Sequence, residues 1–187
     1  MNDPGQIPDP VRAAGPPAVT EGTPDGPIVL VLDPSGAAKR AELPATWREF
    51  ARSWQIIWCR LPVEGALTQA DDLLGDPPRP GRVVTVVASG PFAEQAMRLA
   101  EAHTGTVRAV LLVDPAAEGY FPPDRGEAEA RAWEHTHATG LRAKLVAAGI
   151  PVEVVAYSTG GDRDRVAAPI PLGHPDVAEA VRAAIEE

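Results

Sequence analysis

The chain has 187 residues, a formal net charge of −9, 44% hydrophobic residues and one cysteine, Cys59. This length suits a single domain with a core large enough to fold without disulfides or metal. The charge argues against nucleic acid and anionic membranes as partners, and a lone cysteine excludes an internal disulfide or a thiolate metal cluster. No apolar run approaches bilayer length, and the first residues lack the basic and apolar regions of a signal peptide, so the expected location is the cytoplasm.

Residues 1–26 are dense in Pro, Gly and acidic side chains and follow neither a helical nor a strand period. They are predicted as a flexible tail or a draped extended arm ahead of a domain over 27–187. From Pro27 onward short apolar runs alternate with helical segments, the pattern of βα units around a mainly parallel sheet. The first strand is IVLVL at 28–32, apolar throughout as a strand covered on both faces should be. Thr46-Trp47-Arg48-Glu49 reads as a capping box. Trp47, Phe50, Ala51 and Trp54 follow at helical spacing, so a helix is predicted there with its tryptophans in the core.

IIWCRL at 56–61 is the second predicted strand, followed by a short helix from Ala66 to Leu74 that ends at Gly75. VVTVVA at 83–88 is the third strand and the most central in character. A helix opening at Pro91 places Phe92, Ala96, Leu99, Ala100 and His103 on one side, with VRAVLLV at 107–113 as the fourth strand. His103 reads as a helix-end or core residue with no chemistry. Trp133, His137, Leu141 and Leu145 share a face of a long helix ending near Gly149, before the fifth strand at 152–157. His135 and His137 are two apart and point to different sides, a poor metal pair. A weak sixth strand is predicted at 166–172, confined to an edge by Pro169 and Pro171. The last helix runs from Pro175 to Ile185 with Val177, Val181 and Ile185 inward. The sum is an α/β fold, a three-layer α/β/α sandwich with a mainly parallel sheet of about six strands. The turn DPSGAAKR after the first strand lacks both G-x-G-x-x-G and the phosphate-loop pattern, so no nucleotide, cofactor or metal is expected.

The stretch from Val83 to Pro115 resembles the strand, nucleophile elbow, helix and next strand of α/β-hydrolases. In that family a G-x-S-x-G turn sets the serine at a tight strand-to-helix bend with small residues two positions either side. Arg98-Leu99-Ala100 looks like the family's helix ending. Aligning it puts Ala88, Ser89, Gly90, Pro91 and Phe92 on the five motif positions. The resemblance then implies that Gly90 occupies the nucleophile slot. Glycine adopts the positive φ commonly needed there. Pro91, which follows it, has no N–H for the oxyanion hole. Phe92 fills a position where a small residue is expected. A rival register makes Ser89 the nucleophile and Gly90 the N–H donor, at the expense of Val87 and Pro91 on the two small positions.

Other pieces of the resemblance are altered. Asp33-Pro34-Ser35-Gly36 stands where the family has a His-Gly oxyanion loop, and Arg60-Leu61-Pro62-Val63-Glu64-Gly65 looks like the D-x-P-G-x-G turn. The resemblance places the triad acid at Asp162, with Asp164 next, and the triad histidine at His174, which also abuts the last helix as a structural residue would. It spans roughly 27–187 and lacks the family's first two strands and any evident lid. Three functions are implied. The first is a non-catalytic hydrolase-like protein that binds a small apolar or acyl ligand, or a protein partner, at the carboxyl strand ends near Ser35 and Phe92. The second is a small serine esterase or thioesterase using Ser89, His174 and Asp162. The third is an interaction module recruited through its Pro-rich tail.

Overall fold

The computed structural model describes residues 15–35, 42–77, 79, 81–115, 140–158 and 169–186. A six-stranded, mostly parallel sheet organises them. Its strands are β1 (Ala18–Gly22), β2 (Ile28–Asp33), β3 (Gln55–Arg60), β4 (Val84–Ser89), β5 (Val107–Val113) and β6 (Val152–Ala156). They lie in the order β1-β3-β2-β4-β5-β6, with β1 antiparallel to β3 and every other neighbouring pair parallel. The helices are α1 (Ala66–Gly75), α2 (Ala93–Ala102), α3 (Leu141–Ala147) and α4 (Pro175–Glu186).

The strands form where apolar runs are short and β-branched, and alternation along them divides the interior in two. Ile28, Leu30 and Leu32 of β2 join Val84, Val86 and Ala88 of β4 in one core, closed by Ala70 and Leu74 of α1 and Met97 and Leu99 of α2. Val29, Val31, Trp58, Val87 and Val113 point the other way, into a second core with Trp47, Trp54 and Val177 and Val181 of α4. Residues 29–32 are fully buried, which is why the run reads as continuously apolar. His103 closes α2, and its Nε2 lies 2.8 Å from Asp71 Oδ1 on α1, a helix-to-helix tie.

One expectation is resolved and two are corrected. Of the segment read as a flexible tail or a draped extended arm, the second alternative holds for residues 18–22, which form β1 and pair with β3 along its whole length from Ala18 opposite Cys59 to Gly22 opposite Gln55. The sheet therefore reaches six strands through its N-terminal edge. Of the strand predicted at 166–172, residues 166–168 lie outside the described residues, and 169–172 are not a strand. Pro169 and Pro171 cannot donate to a ladder, and Leu172 is instead buried, its carbonyl accepting from Trp47 Nε1 at 2.7 Å. The helix predicted from Thr46 is two short 3-10 turns, Ala45–Trp47 and Phe50–Arg52. The Thr46 hydroxyl donates to the Gly173 carbonyl at 2.9 Å, so it does not cap a helix. The tryptophans of this segment are core residues all the same, with Trp47 fully buried. Trp133, His135 and His137 lie outside the described residues.

Candidate functional site

The buried polar side chains among the described residues are Asp33, Arg60, Thr85, Ser89, Asp114 and Ser158. All but Thr85 stand at, or just beyond, the carboxyl ends of β2, β3, β4, β5 and β6, one for each parallel strand. Burial of a polar group is unfavourable unless it is held by partners, so this row marks the edge where the fold keeps its polarity. Taken in chain order the parallel strands are arranged 2-1-3-4-5, and their order reverses between β2 and β4. In open parallel sheets such a reversal opens a crevice beyond the carboxyl ends. Asp33 and Ser35 leave β2 on one side of it, and Ser89, Gly90 and Phe92 leave β4 on the other.

On the β2 side Asp33 is a fixed anchor. Its Oδ1 accepts from the backbone N–H and the hydroxyl of Ser35 at 2.8 and 2.7 Å, and its Oδ2 accepts from Trp58 Nε1 at 2.8 Å. Arg60, in register beside Asp33, donates through Nη1 to the Pro16 carbonyl at 3.1 Å and ties down the start of β1. Arg60 thus holds the N-terminal edge in place.

On the β4 side the corner is sharp. Ser89 ends the strand in an extended conformation, φ −131° and ψ 154°, in register with Val113 and only 2% exposed. Strand alternation puts its side chain on the face of Val87. Gly90 follows with φ +56° and is buried. Pro91 and Phe92 complete a 3-10 turn that runs into α2. The left-handed conformation at Gly90 costs a residue with a Cβ about 1–2 kcal/mol, so Gly90→Ala is expected to lower the unfolding free energy by about that amount in urea titration. An unchanged midpoint would contradict it. At this corner the residue in the left-handed position carries no hydroxyl, and the next residue carries no N–H.

His174 serves α4. Its Nδ1 accepts from the Asp176 backbone N–H at 3.3 Å, its own N–H donates to the Pro171 carbonyl, and its carbonyl accepts from Ala178 N–H. Asp162 and Asp164 lie outside the described residues. Phe92 is half-buried at the corner.

Two contributors escaped sequence reading, Asp114 and Ser158. Asp114 follows β5 with φ +44°, and its two carboxylate oxygens accept from Ser158 N–H at 2.8 Å and Ile170 N–H at 2.7 Å. It therefore pins the exit of β6 and the segment leading to α4 to the end of β5. Burial pushes its carboxyl above the usual range, against the pull of those two donors. The available signal was an Asp-Pro pair closing an apolar run, which occurs at both 33–34 and 114–115.

Burial pushes the Cys59 thiol up to about 12. It is therefore expected to resist a thiolate-directed reagent at pH 8 in the folded protein and to react once urea is added. Rapid labelling without denaturant would contradict this. Among the described residues no group of three or more His, Cys, Asp or Glu side chains could hold a metal ion, and no helix is long and apolar enough to cross a membrane. Neither the protein-family models nor the curated proteins include a match to the chain.

Proposed function

We infer that this chain is a non-catalytic α/β-hydrolase-like protein, built as a three-layer α/β/α sandwich, that binds a small apolar or acyl ligand in the crevice between the ends of β2 and β4. The observation that carries this reading is the left-handed corner at Gly90 followed by Pro91. The hydrolase elbow presents its nucleophile at the strained residue of a strand-to-helix turn. Here that residue is glycine, so the strained geometry comes without an attacking group. Ser89, the nucleophile of the competing esterase reading, sits one residue earlier in unstrained, extended backbone. Phe92 and Ser35 flank the crevice as an apolar wall and a polar point of attachment, the composition expected of a small-ligand site.

The test combines binding with turnover. Decanoate should quench tryptophan fluorescence saturably, and Phe92→Ala should weaken that binding about tenfold. Hydrolysis of p-nitrophenyl butyrate should proceed no faster than in buffer. Turnover that Ser89→Ala abolishes would replace this reading with the esterase.

A further inference from the structure

Among the described residues the one buried polar side chain away from the carboxyl edge is Thr85, which stands at the opposite, amino-terminal edge of the sheet. A cleft of about 220 Å³ opens there, lined by Pro27, Ile28, Arg82, Val83, Thr85 and Arg108. Thr85 is 4% exposed, lines the cleft, and its hydroxyl makes no hydrogen bond among the described residues. A hydroxyl on the wall of a cleft can donate to an anionic ligand there, a charge-assisted hydrogen bond.

The strand next to it is built irregularly at this point. In the β4–β5 ladder Val84 pairs with Val107 but Thr85 pairs with Ala109, so β5 carries Arg108 as an extra residue opposite that step. Val107 and Val110 both point into the same core, three residues apart, which a regular strand cannot do. Such a bulge re-aims side chains, and here it brings an arginine to the mouth of the cleft beside Thr85. Arg108 makes no ion pair or hydrogen bond among the described residues. Arg82 is already positioned, donating to the carbonyls of Gly26 and Asp25. The Asp25 carboxylate is engaged mainly by Arg79, and it lies 3.9 Å from Arg82. Two guanidiniums, those of Arg82 and Arg108, thus line a cleft with no carboxylate among its lining residues, a local positive excess in a chain whose net charge is −9.

We propose that this cleft binds a small oxyanion, a carboxylate or a phosphate, between Arg82 and Arg108 with the Thr85 hydroxyl donating to it. Guanidinium groups match the planar, paired oxygens of such groups and give charge-assisted hydrogen bonds. The volume admits an ion with a short substituent, which would lie against Pro27 and Val83.

The experiment titrates the full chain with propionate and, separately, with inorganic phosphate in 0.1 M sodium chloride, following backbone amide shifts. Nearly all long-range attraction is screened at that salt concentration. The expected result is saturable shifts confined to residues 81–85 and 107–109 with at least one of the two ions, and the tighter binder identifies the source. Arg108→Gln should weaken binding about tenfold and Thr85→Val about threefold or more. Both variants keep the fold, since Arg108 is exposed and valine preserves the branched shape, which their unchanged spectra would verify. No saturable, localised shift with either ion, or equal affinity in both variants, would overturn the proposal. Because the readout is residue by residue at the amino edge, its failure leaves the crevice beyond β2 and β4 untouched.

Discussion

Truncation of Trp47 to alanine is expected to lower the unfolding free energy by about 3–5 kcal/mol, the range for deleting a large buried aromatic side chain. The indole is fully buried in the core that joins the sheet to α4. It meets Trp58 edge-on at 5.1 Å and Phe50 at 5.9 Å, geometries that add to area burial alone. Its Nε1 also donates to the Leu172 carbonyl, so its loss strands a buried acceptor and frees the turn before α4. Trp47→Phe separates the two effects. It keeps most of the packing while removing the donor, and should lower stability by about 1–3 kcal/mol. Urea denaturation with an unchanged slope measures both. A loss below about 1 kcal/mol for the alanine variant would show that the core collapses around the gap.

The second large effect is at Asp114. Its replacement by alanine removes the acceptor of the buried Ser158 N–H and of the part-buried Ile170 N–H, and an alanine at φ +44° lacks the local hydrogen bonding that lets aspartate adopt this region. A loss of about 3 kcal/mol or more is expected. The pH dependence has a definite sign. The carboxyl is held above its unfolded value, so the folded state binds the proton more tightly. Stability from this residue is therefore greatest below the unfolded pKa of about 4 and declines as pH rises through the folded one. The gap in unfolding free energy between the wild-type chain and Asp114→Ala should narrow upward from about pH 4. A gap that widened over that interval would mean that the two N–H donors outweigh burial.

The contrast between Gly90 and Asp114 shows what was legible in the sequence. The parallel strands β2 to β5 announce themselves because burial on both faces demands continuous apolar runs, and the corner after β4 is readable because so few residue types tolerate it. β1 was not readable. Its five residues, AVTEG, carry no period of their own, and their strand conformation comes from pairing with β3. The segment at Thr46 had the right buried face, but its hydroxyl was taken by Gly173, more than a hundred residues away, and no local rule anticipates that. Asp114, Ser158 and Ile170 are joined for the same kind of reason, by contacts distant along the chain. Within the crevice, the composition of the corner was local and visible. The anchoring of Asp33 by Trp58, across two strands, was not.

The reading of function depends on what stands at the bend between β4 and α2, and covalent labelling addresses it directly. Incubation with a fluorophosphonate, followed by intact-mass measurement and peptide mapping, should leave the chain unmodified, because glycine at the bend offers nothing to phosphonylate. A stoichiometric adduct on Ser89 would place a working nucleophile beside that corner and contradict the account.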